Sequence, residues 1–307
     1  MNKTWAEMDA KQGSHSKRTL IGTIVVFALI IVIALFNVLR SFWEYEEGNI
    51  EYSKVEKDYV NVMAIPEAKP SAKAKDDDTE EAEEEAEEES IWTEDQSIPN
   101  LSVDNDALLA LNPDYFCWLY VAPTGISYPV VKGEDNDYYL HHTFGKEKNV
   151  NGCVYMDCLA WPDMMDYNIF IYGHNMRNGS MFGSMKLMLN DPEVALADPY
   201  FYLFRENAVR KYHIYSIRIA SPRSDTFHNP ASESEYREYI DNAIKESVTD
   251  MGVSVSTEDK TVTLSTCSGT GAGKKRLVVH GKLVGIINTD NPDKVSYNAV
   301  KKLEDGT

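Results

Sequence analysis

The sequence predicts a mainly β domain, either a barrel or a sandwich, that follows a single membrane-spanning helix. Many short runs of β-branched and aromatic residues alternate with turn residues, while helical patterns are few. The regular alternation of strands and helices that indicates a doubly wound parallel sheet is not found in the sequence. An uncharged, largely apolar run of twenty residues near the N-terminus predicts the membrane helix.

The apolar run covers Leu20 to Leu39, and we assign the transmembrane helix to residues 19–39. At 1.5 Å per residue, twenty helical residues span about 30 Å, the thickness of a hydrocarbon core. A cleavable signal peptide would have a shorter run and small residues after it, whereas aromatic and charged residues follow here. Four basic residues precede the span: Lys3, Lys11, Lys17 and Arg18. We therefore expect residues 1–18 in the cytoplasm and the chain after the span on the outer side of the cell membrane.

Residues 40–90 are predicted to form a stalk and an acidic linker. Apolar residues at helical spacing in 44–62 favour a helical stalk. Residues 66–89 contain no aromatic or branched aliphatic side chain and therefore favour disorder. Eleven acidic residues within 76–89 account for most of the net charge of −19, which argues against nucleic acid as a partner.

A globular composition begins at Ile91, and we expect a folded domain at 91–290 and a C-terminal tail at 291–307. Within the domain, period-two patterns bounded by turn residues predict short strands at 126–131, 153–156, 168–172, 210–220, 261–265 and 276–285. Helical patterns are predicted at 104–111, 181–189 and 233–248.

Among the four cysteines, Cys267 has the setting expected of a nucleophile. It ends a β-branched run, and the glycine-rich segment 268–273 follows, so substrate can reach a thiol at this strand end. If that segment forms a hairpin, Arg276 returns beside Cys267, where a guanidinium could stabilise a thiolate or an oxyanion. The remaining cysteines are Cys117, Cys153 and Cys158, and we expect them to be buried free thiols, with a disulfide as the alternative. Their spacing does not match that of zinc ligands.

Cysteine chemistry also needs a group that transfers protons, and His174 is the favoured candidate. It follows a predicted buried strand and a glycine, at the point where the strand ends. His15 lies on the cytoplasmic side of the predicted span. The other five histidines are His141, His142, His213, His228 and His280, and their positions are typical of surface or packing residues. Position alone leaves the choice between them and His174 open.

The run Thr263-Leu-Ser-Thr-Cys267, with Arg276 downstream and Tyr172-Gly-His174-Asn upstream, resembles the sortases, the cysteine transpeptidases of Gram-positive cell surfaces. The resemblance covers roughly residues 107–287. It is greatest to class B, whose members have an inserted helix before the strand of the catalytic cysteine. One departure is Ser268, because class B members often have an acidic residue directly after that cysteine.

The resemblance implies a closed β-barrel of about eight strands, with N-terminal helices and one inserted helix. It also implies that Cys267 attacks a C-terminal sorting motif after its Thr and passes the acyl group to an amine of a cell-wall precursor or a pilin. His174 and Arg276 would complete the catalytic set, and no metal or cofactor is implied. By alignment with class B relatives, four further residues would hold the sorting peptide: Ser265, Tyr172, Asn136 and Leu140.

Two other function classes remain open at this point. A cell-surface cysteine peptidase could use the same Cys, His and Arg. A catalytically silent, membrane-tethered binding protein would make Cys267 structural. The chain order His, Cys, Arg disfavours a papain-like protease, in which the Cys precedes the His. The sequence does not choose a sorting motif, an amine acceptor, or between wall anchoring and pilus assembly.

Overall fold

The folded domain is a closed β-barrel of eight strands, preceded by one long helix. The computed structural model describes residues 5–62, 97–222, 224–267 and 275–289. Its elements are, in chain order, α1 (Trp5–Tyr59), β1 (Val60–Val62), β2 (Leu101–Val103), α2 (Asn105–Leu111), β3 (Tyr115–Val121), β4 (Ile126–Val131), β5 (Val154–Met156), β6 (Asn168–His174), α3 (Lys186–Asn190), α4 (Pro192–Ala197), β7 (Tyr200–Arg205), β8 (Ala208–Ala220), α5 (Glu233–Lys245), β9 (Thr261–Cys267) and β10 (Arg276–Asn288).

The barrel closes in the strand order β10–β8–β7–β3–β4–β5–β6–β9, with β9 pairing back to β10. Two of its pairs are parallel, β4 with β5 and β6 with β9, and the others are antiparallel. The expected mainly β, closed eight-stranded barrel is therefore confirmed. Closure leaves the sheet without free edges, and alternate residues of each strand face the interior.

The helix α1 contains the predicted membrane span and extends beyond it. The apolar side chains from Ile24 to Leu39 are exposed, and the helix is long and apolar enough to cross a membrane. Beyond the span, Tyr52 and Val55 are buried against the barrel, and β1 pairs antiparallel with β2. The segment interpreted as a stalk is thus packed on the folded domain. The acidic linker and the C-terminal tail lie outside the described residues, and the domain start at 91 stays a prediction.

Several elements differ from the sequence prediction at their ends. The strands β6 and β9 each run two residues further than predicted, to His174 and Cys267. The strands β3 and β7 and the helix α4 were not predicted. The helix α5 ends at Lys245, three residues before its predicted end at 248.

The inserted helix α5 covers the outer face of the barrel near its closing strands. Ser232 caps the helix by accepting a hydrogen bond from the backbone N–H of Glu235. The Tyr236 hydroxyl donates to Thr261 Oγ1 at 3.1 Å, and the Tyr239 hydroxyl bonds Thr263 Oγ1 at 2.7 Å. These buried tyrosines bond to β9, so the helix is fixed to the strand that leads to Cys267.

A buried histidine of β10 completes this polar layer. His280 is fully buried, and its Nε2 accepts a hydrogen bond of 3.1 Å from Arg218 Nε. Its Nδ1 must therefore carry the proton, and it lies 3.0 Å from Thr263 Oγ1. Burial first, and the Arg218 charge second, hold the pKa of His280 well below its ordinary value. His280 is a packing residue that stays neutral in the folded protein.

The depressed pKa of His280 predicts a pH-dependent stability. In the unfolded chain the imidazole takes up a proton below about pH 6.5, whereas the folded protein resists protonation, so acid favours unfolding. We expect the free energy of unfolding to fall between pH 7 and pH 5, with a slope contribution of up to about 1.4 kcal/mol per pH unit from this group. The free energy of unfolding, measured by urea titration at pH 7 and at pH 5, should depend less on pH in the His280→Asn variant. The same pH dependence in the variant and in the wild type would contradict the assignment.

Candidate active site

The sequence-predicted catalytic residues lie on three neighbouring strands, β6, β9 and β10, and two of them stand in one row. His174 of β6 and Cys267 of β9 are direct register partners at the ends of two parallel strands. Between β9 and β10 the antiparallel register pairs Ser265 with Val278. Arg276 begins β10 two residues before Val278, so a continuation of that register would place it opposite Cys267. The fold therefore places His174 beside Cys267, although these two residues are far apart in the sequence.

The imidazole of His174 is held by a backbone carbonyl. Its Nε2 lies 2.7 Å from the carbonyl oxygen of Leu140, so Nε2–H donates and Nδ1 is the unprotonated nitrogen of the neutral ring. Burial lowers the pKa of His174, the bond to Leu140 raises it, and the neighbouring His141 lowers it further. The net effect is a lowered pKa, which makes the neutral imidazole the main form at pH 7.

Two glycines let the chain approach the His174 strand end closely. A Cβ at Gly173 would lie 2.7 Å from the Phe182 ring, so the residue before His174 must be Gly for Phe182 to pack there. Gly152 has a φ of +56°, and a Cβ there would lie 2.8 Å from the Leu140 carbonyl oxygen and 3.0 Å from His174 Cδ2. The backbone just before His174 is therefore packed against Phe182, and the imidazole is packed against Gly152.

Arg276 retains hydrogen-bonding capacity in the structure. Its guanidinium carbon lies 5.1 Å from the centroid of the Phe227 ring, a cation–π arrangement that fixes the side chain. Its Nε is buried and bonds to no described residue. A buried guanidinium N–H without a partner is costly, so this donor fits a site that a substrate oxygen completes.

The four residues aligned with a peptide groove occupy different positions around this row. Ser265 is fully buried and pairs with Tyr172, two residues before Cys267 and His174. The Tyr172 hydroxyl donates to Asp157 Oδ2 at 3.1 Å. Leu140 contributes its carbonyl to His174. Asn136 lies in the segment between β4 and β5.

The side chain of Asn136 connects that segment to the one after β5. Its Oδ1 accepts a hydrogen bond of 2.9 Å from the backbone N–H of Cys158. Asp157, which the sequence analysis did not single out, is the neighbouring residue and binds the Tyr172 hydroxyl. Asp157 directly follows β5, and an acidic residue at the end of a predicted strand was the sequence feature that could have identified it.

The other cysteines and histidines lie in ordinary structural settings. Cys117, Cys153 and Cys158 are free thiols, and burial raises the pKa of Cys117 and of Cys153 to about 12. Cys158 is partly exposed, contrary to the expectation of burial. His213 packs on the Tyr200 ring at 4.7 Å. Within the described parts of the chain, no three His, Cys or acidic residues gather as a metal site.

Comparison with known proteins identifies the family. A model of the Sortase domain matches residues 119–284, more than half of the chain. Sortase B of Listeria monocytogenes is 32% identical over 204 residues, which cover 64% of this chain and 82% of the relative. The chain belongs to the class B sortases.

Solved structures of class B sortases share this fold. The Clostridium perfringens sortase B structure matches with a TM-score of 0.54 at 33% identity, covering 60% of this chain and 99% of that chain. The Bacillus anthracis sortase B structure matches with a TM-score of 0.59 at 27% identity, covering 79% of this chain and 99% of that chain. The resemblance drawn from the Thr-Leu-Ser-Thr-Cys run is confirmed. This sortase is a cysteine transpeptidase, and the binding-protein alternative is set aside.

The fixed guanidinium predicts that Arg276→Lys inactivates this sortase. An ammonium is a point charge and cannot reproduce two parallel N–H donors or the stacking on Phe227. We expect kcat/KM for sorting-peptide transfer to fall by about a hundredfold, the cost typical of losing an oxyanion donor. Arg237→Lys, on the exposed face of α5, is the matched control and should keep activity. Near wild-type turnover of Arg276→Lys would remove Arg276 from the site.

Proposed function

We propose that this sortase cleaves a C-terminal sorting motif after its Thr and joins the protein to an amine of a cell-wall precursor or a pilin. Cys267 is the nucleophile, His174 the proton-transfer group and Arg276 the oxyanion donor. The observation that supports the proposal is the strand register, which pairs His174 with Cys267 and pairs Ser265 of the same strand with Val278, two residues after Arg276. The sequence run around Cys267 and the class B relatives support the same assignment.

The acylation half-reaction follows from these three groups. The Cys267 thiol gives its proton to neutral His174, and the resulting thiolate attacks the Thr carbonyl carbon, so that the new C–S bond pushes the carbonyl electrons onto oxygen. As the oxyanion collapses, the C–N bond breaks, and the departing amine takes a proton from the His174 imidazolium. The product is a thioester on Cys267 together with the released C-terminal fragment.

The deacylation half-reaction uses His174 in the opposite direction. The incoming amine loses a proton to neutral His174 as it attacks the thioester carbonyl. The C–S bond then breaks, the thiolate leaves and an amide bond joins the two proteins. The lowered pKa of His174 supports this role, because a neutral imidazole is available as a base at pH 7.

Arg276 stabilises the negative oxygen that forms in both halves. Its buried Nε has no partner among the described residues, so a donor is ready before substrate arrives. A donor that is already oriented costs no reorganisation when charge develops. Phe227 holds the guanidinium from one side and limits its rotation.

The sorting peptide is proposed to run along the groove beside this row. Ser265 and Tyr172 pair with each other two residues before Cys267 and His174, and we assign them to the binding of the Thr residue and its preceding side chain. Leu140 and Asn136 border the same region from the segment between β4 and β5. Asp157 orients the Tyr172 hydroxyl within it.

The membrane placement completes the proposal. The apolar part of α1 spans the cell membrane with its N-terminus in the cytoplasm, in accord with the basic residues that precede it. The barrel then lies on the outer side, where exported substrates and wall precursors are found. The contacts of α1 with the barrel begin near Glu44, so the catalytic domain lies close to the end of the span.

Intact mass spectrometry of the full chain in detergent tests the proposed function. Wild type and Cys267→Ala would be mixed with Thr-Gly and Thr-Asn sorting peptides, with and without triglycine or Nα-acetyl-lysine as amine. We expect an acyl adduct only on wild type, and its conversion to joined product when amine is added. Hydrolysis that amine leaves unchanged would indicate a peptidase and contradict the transfer step.

A further inference from the structure

The long helix α1 contacts residues 140–152, the segment whose first residue, Leu140, accepts the hydrogen bond of His174. Asn149 Nδ2 donates to the carbonyl oxygen of Glu44 at 2.8 Å, and Asn151 Nδ2 donates to that of Tyr45 at 3.1 Å. The Glu51 carboxylate accepts a 2.8 Å bond from the backbone N–H of Gly145. Residues 140–152 are thus joined to a helix about a hundred residues earlier in the chain.

The helix approaches this segment most closely at Gly48. A Cβ at Gly48 would lie 2.2 Å from Asn151 Nδ2, a distance that no side chain tolerates. Asn151 is fully buried, so it has no free space into which to move. A glycine in the middle of a helix is otherwise unfavourable, and here it allows the close contact.

Tyr52 joins the two ends of the segment. Its ring is buried, and its hydroxyl donates to the carbonyl oxygen of Gly152 at 2.5 Å. The same hydroxyl accepts a 3.2 Å bond from the backbone N–H of Phe144. Burial raises the pKa of Tyr52 well above its ordinary value, so the phenol keeps the proton that it donates.

Gly152 in turn lies against the histidine. Its Cα is so close that an added Cβ would reach 3.0 Å from His174 Cδ2 and 2.8 Å from the Leu140 carbonyl oxygen. That carbonyl is the acceptor for His174 Nε2–H. Tyr52 is therefore separated from His174 and from its hydrogen-bond acceptor by one residue.

We propose that Tyr52 is a positioning residue of this sortase, which holds Gly152 and Leu140 in place and thereby fixes the orientation and tautomer of His174. The inference rests on the proposed role of His174 in proton transfer. It makes the helix that leads out of the membrane span a part of the catalytic apparatus. Tyr52 touches no reacting atom and acts only through the segment 140–152.

The Tyr52→Phe variant of the full chain in detergent is the direct test. It removes one hydroxyl and keeps the ring that packs against Tyr128. We expect kcat for transfer to triglycine to fall roughly tenfold, since misplacing a catalytic group is costly, while KM for the sorting peptide stays within twofold. Tyr45→Phe is the control on the same helix, because the Tyr45 hydroxyl bonds to no described residue. It should retain wild-type kcat.

Nuclear magnetic resonance of the His174 ring nitrogens gives a readout that does not require activity. Wild type should show the Nε2–H tautomer, and Tyr52→Phe should show a mixture of the two tautomers. If wild type transfers no peptide, the proposed function fails, yet the tautomer spectra still decide the positioning role. An unchanged tautomer together with an unchanged kcat in Tyr52→Phe would overturn the inference, whatever its effect on thermal stability.

Gly48→Ala provides a second variant should Tyr52→Phe fail to fold. The substitution removes no hydrogen-bonding group, but the added methyl group displaces the Asn151 side chain, which bonds the Tyr45 carbonyl. We expect the same loss of kcat and the same change of tautomer. Retention of both wild-type properties in Gly48→Ala would overturn the inference on its own.

Discussion

The parallel pairing of β6 with β9 is the constraint on which the site depends. These strands are separated by the whole of α3 to α5, yet seven consecutive residue pairs join them and end at His174 and Cys267. A slip of one residue would turn every side chain of the slipped strand to the opposite face of the sheet and separate the two positions. The barrel prevents such a slip, because β9 is also paired with β10 on its other side.

A buried polar layer fixes this register from outside the barrel. Tyr239 of α5 bonds Thr263 of β9 and lies 3.2 Å from His280 of β10, while Arg218 of β8 bonds the far side of the same imidazole. Asn168 at the start of β6 accepts a 2.7 Å bond from Thr263. These hydrogen bonds form only when the strands are aligned in this register, so the network favours a single register at the cost of burying polar groups.

The sequence predicted the membrane helix and the setting of Cys267 from local patterns, whereas the closed barrel and the choice of His174 among the histidines came from the resemblance to the sortases. The apolar run of α1, the β-branched run before Cys267 and the glycine before His174 are readable within a few residues. The docking of α1 was not predictable in this way. It depends on Asn149 and Asn151, which bond helix carbonyls about a hundred residues away, and on the absence of a side chain at Gly48. The strand β3 was missed although Trp118 at its centre is fully buried, since a continuous apolar run does not show the alternation of a half-exposed strand.

Cross-linking positions 174 and 267 measures the central register most directly. Paired positions on neighbouring strands have Cα atoms about 5 Å apart, within the range that a disulfide bridges. His174→Cys should form a disulfide with Cys267 under mild oxidation, seen by mass spectrometry as a loss of 2 Da and located by peptide mapping. Tyr172→Cys, two residues earlier on β6 and paired with Ser265, should not bridge to Cys267. Bridging from position 172 in preference to 174 would contradict the account.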